Sequence, residues 1–111
     1  MMTLKTDESN PDALLELGIS LCRLARWKEA IEPLQRAVTL DPSKVAAHSQ
    51  LGDAFNQMDR LDDALVSYES AAKLEPENYR ALKGMGVILD RLCRPDEATA
   101  AYQRAREAQR R

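Results

Sequence analysis

The sequence predicts an all-α fold, a stacked array of three antiparallel helix-turn-helix repeats, and three observations carry that prediction. Gly18, Gly52 and Gly86 stand 34 residues apart each time (52 − 18 and 86 − 52). Ala30, Ala64 and Ala98 keep that interval, as do Ala37, Ala71 and Ala105, then Leu17, Leu51 and Met85, and finally Leu34, Tyr68 and Tyr102. Within each period the apolar residues recur at helical spacing, and no stretch alternates as a strand would. A unit this short cannot bury its apolar face alone, so its copies must stack and share a core.

Residues 1–10 read as a polar lead-in expected to be flexible, with Met1, Met2 and Leu4 able to lie against the first repeat. Asn10 offers a cap oxygen, and Pro11 suits the first helical position, where its missing N–H costs nothing. Leu14, Leu17, Gly18 and Leu21 then mark a first helix to about Leu24, followed by an Arg26-Trp27 turn. The second helix carries Ala30, Ile31, Leu34, Ala37 and Val38 and stops at Asp41-Pro42, because proline disfavours helical geometry just before itself. Ser43 is expected to cap the third helix, which holds Val45, Ala47, Leu51, Ala54, Phe55 and Met58. After the Asp59-Arg60 turn, Ala64, Leu65, Tyr68, Ala71, Ala72 and Leu74 form the fourth, closed by Glu75-Pro76. Ala81, Leu82, Met85, Gly86, Leu89 and Leu92 make the fifth, Arg94-Pro95 the turn, and Ala98, Ala101, Tyr102, Ala105 and Ala108 the sixth. The repeats are therefore 11–44, 45–78 and 79–111.

A glycine inside a helix costs roughly 1 kcal/mol against alanine, so three at one spacing call for a packing reason. The expectation is that Gly18, Gly52 and Gly86 face Ala30, Ala64 and Ala98 and let the two helices of each pair close up. Ile31, Val38 and Leu40, then Leu65, Ala72 and Leu74, are expected to receive the next repeat. The third repeat has Thr99, Arg106 and Ala108 at those places, and this polar face predicts that the last helix caps the array itself.

Composition narrows the function. The 111 residues are 44% hydrophobic and 31% charged, with a formal charge of −2, so no overall field attracts nucleic acid or an anionic membrane. No apolar run approaches the roughly 20 residues of a membrane span, and the start lacks a signal-type stretch, so a cytoplasmic location is expected. Cys22 and Cys93 have no metal-type spacing and read as thiols in a reducing compartment. Catalysis finds no support. His48 is the single histidine, with no second one to share a metal, Asp62-Asp63 and Asp96-Glu97 suit the first turns of helices, and Gly84 and Gly86 lie inside a helix rather than a phosphate loop. No enzyme activity, cofactor or metal is expected. Repeat two has seven acids against two bases, a balance of −5, whereas repeat three has eight bases against four acids, a balance of +4. The arginines are spread, with Tyr79 and Tyr102 as the aromatics of that repeat, so nucleic-acid stacking is poorly supported, and head-to-tail self-association of the acidic middle with the basic end, giving a homo-oligomer, is at least as well supported.

At these residues the sequence resembles the tetratricopeptide repeat family. Its pattern appears as Leu17-Gly18, Leu21, Ala30, Leu34, Ala37, Pro42, again as Leu51-Gly52, Phe55, Ala64, Tyr68, Ala71, Pro76, and a third time as Met85-Gly86, Leu89, Ala98, Tyr102, Ala105. Arg110 stands where the third closing proline would be, His48 replaces a large apolar residue, and Trp27 occupies the turn. The resemblance implies an α-solenoid, a right-handed superhelix whose concave groove is lined by the first helix of each pair.

By that analogy the groove presents Asp12, Leu15, Ile19, Cys22 and Arg23, then Ala46, Ser49, Gln50, Asp53, Asn56 and Gln57, then Arg80, Lys83, Val87, Asp90 and Arg91. This gives an apolar end, a hydrogen-bonding middle and a mostly basic end. The family's carboxylate clamp on heat-shock chaperones would fall on Leu15, Ile19, Gln50, Arg80 and Gly84, of which only Arg80 and Gln50 suit it. The expected function is a non-enzymatic protein-interaction module holding a partner's peptide segment, with Leu15, Ile19, Asp53, Asn56, Lys83 and Arg91 as contacts. Asn56 can donate to and accept from a peptide backbone, and the cations can pair with a carboxylate. The alternatives are a small chaperone shielding an apolar client segment near Leu15 and Ile19, and a self-assembling scaffold.

Overall fold

The computed structural model describes residues 10–110, all of them in helices and the turns that join them. The helices are α1 (Pro11–Arg23), α2 (Trp27–Leu40), α3 (Val45–Gln57), α4 (Leu61–Leu74), α5 (Tyr79–Arg91) and α6 (Pro95–Gln109). The expectations for Met1, Met2 and Leu4 fall outside the described residues.

Local chemistry sets most helix ends. The Asn10 side chain accepts from the backbone N–H of Asp12 at 2.9 Å and of Ala13 at 3.4 Å, and Asn78 accepts from Ala81 at 2.9 Å. Ser43 does not cap α3. Its N–H and hydroxyl both donate to Asp41 Oδ1, at 3.1 and 2.6 Å, and Lys44 takes the cap position without a side-chain bond. The carboxylate two residues back is simply nearer than the helix end, and it closes its own turn. Trp27 is the first residue of α2, half-buried against the core, rather than part of the turn.

The turn inside each pair is one motif used three times. The chain enters the left-handed region at Ala25, Asp59 and Cys93 (φ 59°, 60° and 60°). The next N–H, from Arg26, Arg60 or Arg94, then reaches back to the carbonyl of Leu21, Phe55 or Leu89 at 2.9 Å, closing the first helix. Each of those arginines also pairs with the acid three residues on: Arg26 with Glu29 at 2.5 Å, Arg60 with Asp63 at 2.9 Å, Arg94 with Glu97 at 2.5 Å. The acids sit in the first turn of the second helix, where the dipole favours negative charge.

The glycines do not face the alanines. A side chain added at Gly52 would meet the Tyr68 ring at 2.6 Å, one at Gly86 the Tyr102 ring at 2.7 Å, and one at Gly18 the Leu34 side chain. Each pair is therefore joined by one large side chain of the second helix seated on bare backbone of the first. Ala30, Ala64 and Ala98 are fully buried elsewhere in the same core. Pro33, buried inside α2 where Ser67 and Ala101 stand in α4 and α6, removes one backbone donor from that helix.

Helices pack most closely within pairs, and then α2 on α3 and α4 on α5. First helices also approach one another, α1 with α3 and α3 with α5, while the second helices stand farther apart. The stack therefore curves, with the first helices on its inner side. Ile31, Leu65 and Ala72 are buried at the junctions, but Leu40 and Leu74 are 48% and 42% exposed and do not receive the next repeat. They end their helices beyond the neighbour's reach. In the third repeat Thr99 and Arg106 are exposed and Ala108 is half-buried.

Candidate functional site

On the inner side of the curve an open depression of about 340 Å³ lies between α3 and α5. From α3 come Asp53 and Asn56, three residues apart and hence on one face. From α5 come Arg80, Lys83, Gly84 and Val87, again at helical spacing, with Tyr79 at the rim and Tyr68 beneath. Three of the six expected contacts, Asp53, Asn56 and Lys83, thus meet in one place, while Leu15, Ile19 and Arg91 lie outside it.

Tyr68 organises the depression. Its ring runs between two backbones, since an added side chain would strike it at 2.6 Å from Gly52 and at 2.5 Å from Gly84. The buried hydroxyl donates to Asp53, and the other carboxylate oxygen accepts from Arg80. The Gln50 amide oxygen, turned toward Arg80, accepts from the same guanidinium at 3.2 and 3.3 Å. Burial first, and then the bond to the Asp53 carboxylate, pushes the Tyr68 phenol well above the usual tyrosine range.

Arg91 reaches back across the same junction. It donates to the Asn56 carbonyl at 3.1 Å, to the Asn56 side chain, and to Asp59 at 2.5 Å. Asn56 and Arg91, both expected to face a partner, are thus bound to one another and tie α5 to α3. Lys83 is exposed, with its ammonium 6.0 Å from the centroid of the Tyr79 ring.

At the far end, Leu15 and Ile19 are both half-buried on α1. Leu15 packs against the core around Leu14, Ala37 and Ala47, so its size answers a need of the fold and is not by itself a sign of a partner. Cys22 is buried, and that burial pushes its thiol up. Ser49, expected to line the groove, is buried instead. Asp12 pairs with Lys44, and His48 places its Nε2 2.9 Å from the Pro42 carbonyl oxygen in the turn before its helix.

Three residues of the depression, Tyr68, Tyr79 and Gly84, are not among the groove-lining residues expected from the sequence. Tyr79 occupies a position filled by Pro11 and Val45 in the other repeats, so periodicity gives it no role. Gly84 did leave a signal: Glu16 and Gln50 stand at its equivalents, and a glycine that breaks the period asks for a neighbour needing the space.

No helix among the described residues is long and apolar enough to cross a membrane. Comparison with known proteins points one way. A family model described as a tetratricopeptide repeat matches residues 55–111, and one described as a TPR repeat matches 20–59. No curated protein matches the sequence. Among solved structures, a crystal structure of MamA is similar with a TM-score of 0.89 and 27% identity, covering 94% of this chain and 61% of that one. A crystal structure of YrrB, described as a TPR protein with an unusual peptide-binding site, gives 0.85 and 28%, covering 90% and 52%. MamA from Desulfovibrio magneticus RS-1 gives 0.86 at 22% identity, covering 91% and 57%, a likeness of fold alone. The chain spans only 52–61% of the length of these neighbours. Repeats of this type are typically non-catalytic protein-interaction modules. With the family model covering more than half of its length and the three-fold motif seated in three helix pairs, the chain belongs to the tetratricopeptide repeat family.

Proposed function

We propose that this chain is an adaptor that holds an extended segment of a partner protein in the groove lined by α1, α3 and α5. Leu15, Ile19, Asp53, Asn56, Lys83 and Arg91 form or brace that site. One observation carries the reading. The polar wall is ordered in the free protein, by Asp53 with Arg80 and by Asn56 with Arg91. A partner would therefore meet preset donors and acceptors, and binding would cost little side-chain entropy. The peptide-binding site in the printed description of YrrB supports the same use of the fold. Shielding of an apolar client segment is a variant of this reading, with Ile19 as the contact. The reading needs no cofactor and no catalytic step, and a cytoplasmic setting suits its free thiols.

A second reading, the self-assembling scaffold, has one specific observation behind it. Leu17 and Leu24 are 48% and 64% exposed at the first repeat, whereas Leu51, the equivalent of Leu17, is covered by the repeat before it.

The test is capture from a source lysate on tethered wild type beside an Ile19→Glu, Asn56→Ala, Lys83→Glu variant of equal helicity. A partner held by wild type and lost by the variant is the expected result. A partner held equally by both moves the interface off the groove, and recovery of the chain alone favours the scaffold.

A further inference from the structure

The charges of the groove can be followed one by one. In the depression, the Asp53 carboxylate is matched by Arg80 and by the Tyr68 hydroxyl. Arg91 directs its guanidinium at Asn56 and Asp59. Lys83 differs from both. It is exposed, it lies beside the Tyr79 ring, and it forms no ion pair with an acid among the described residues. The lining thus holds two cations against one carboxylate, an excess of one positive charge. The Tyr79 ring lies beside the ammonium, and Val87, Asn56 and Arg80 line the same depression. That combination suits a carboxylate carried on a short aliphatic stem.

The other end of the groove has the opposite chemistry. Leu15 stands at the position of Lys83 two repeats earlier, and Ile19 at the position of Asp53 one repeat earlier. Both are half-buried, leaving apolar surface open to a partner.

We propose that the segment held in the groove sets an apolar side chain over Ile19 and Leu15 and an acidic side chain at Lys83, about five or six residues apart. The spacing follows from two helix-to-helix steps of about 8–10 Å and an advance of about 3.3 Å per residue in an extended chain. The proposal rests on the groove reading and specifies what fills it. An acidic side chain is favoured over a chain-terminal carboxylate on two grounds. The depression around Lys83 is open, so the segment can run on past it, and Leu15 and Ile19, the first-repeat positions of the carboxylate clamp, give a chain terminus no side-chain donor.

Fluorescence anisotropy with short labelled peptides tests this. The probe is a C-terminally amidated peptide with leucine at one end, glutamate about five or six residues on, and alanine and serine between; its partners carry glutamine or lysine instead of glutamate. A further peptide has no glutamate and a free C-terminus. The glutamate peptide is expected to bind wild type about fivefold more tightly than the glutamine peptide at low salt. Lys83→Met should abolish that preference, and Lys83→Glu should transfer it to the lysine peptide. Equal affinity for all amidated peptides, with every one lost in Ile19→Glu, would overturn the acidic assignment and leave the groove reading standing. Tightest binding by the free C-terminus would overturn the side-chain assignment. No binding by any peptide, or binding untouched by Ile19→Glu, would overturn both.

Discussion

Where the second repeat meets the third, Asp53, Tyr68 and Arg80 form a hydrogen-bonded chain. Where the first meets the second, the same three positions hold Ile19, Leu34 and Ala46. Arg91 bridges Asn56 and Asp59 at the later junction, while at the earlier one Gln57 stands opposite Cys22 and Ala25. The backbone plan is common to both, so the difference is one of side-chain chemistry alone. An apolar junction is tolerant, because Leu34 leaves no polar atom needing a partner. A tyrosine at that position brings a hydroxyl into the core, and burying it without a bond costs free energy. Asp53 answers the hydroxyl, Arg80 answers Asp53, and the resulting chain surfaces in the groove. The polar wall of the candidate site is thus the outer end of a packing solution.

Breaking the chain at its middle should show the largest effect. Asp53→Ile installs the residue of the first junction but leaves the Tyr68 hydroxyl without its acceptor and the Arg80 guanidinium with Gln50 alone. A loss of about 2–3 kcal/mol is expected, set by the unpaired buried hydroxyl. The triple change Asp53→Ile, Tyr68→Leu, Arg80→Ala installs all three residues of the first junction and should recover at least half of that loss. Urea melts of the single and triple variants measure both. A triple variant no more stable than the single one would show that the two junctions are not interchangeable.

An alkaline titration sharpens the same contrast. Folded Tyr68 holds its proton to higher pH than an unfolded tyrosine does, through burial and through Asp53. Its contribution is whole below about pH 10, the unfolded value, and is lost as pH rises beyond it. The slope for one such proton is about 1.4 kcal/mol per pH unit, an upper figure here. Tyr68→Phe should therefore lose less stability than wild type between about pH 10 and 11.5, by roughly 1 kcal/mol. Parallel pH curves for the two proteins would place the hydroxyl in contact with water.

How far the sequence carried the reading is clear from these same residues. Helices, turns and stacking follow from the 34-residue interval, because each repeat obeys the same core and turn rules. The shared Arg–acid pair after each turn, such as Arg26 with Glu29, keeps that interval too and was legible in principle. Periodicity cannot show which large side chain fills the gap beside each glycine: it points to Ala30, Ala64 and Ala98, whereas Leu34, Tyr68 and Tyr102 lie nearest. It also cannot show which groove residues are engaged with one another. Asn56 and Arg91 are 35 positions apart, just off the period, and their bond depends on how far a guanidinium reaches across a junction.

The smallest expected effect tests that reach. Arg91→Gln gives the later junction the residue that the earlier one carries at Gln57. The side chains involved are exposed, with the Arg91 and Asp59 side chains 42% and 76% accessible, so water and salt already weaken the pair. Stability should fall by less than about 1 kcal/mol, and by less still in high salt. Asn56, freed from the guanidinium, would then be open to a peptide backbone. If its chief work is to bind the partner, Arg91→Gln should leave affinity unchanged or raise it in an anisotropy titration. If its chief work is to be held in place by Arg91, affinity should drop while the melt hardly moves. The two outcomes separate a contact from a brace, which the folded geometry by itself presents as one hydrogen bond.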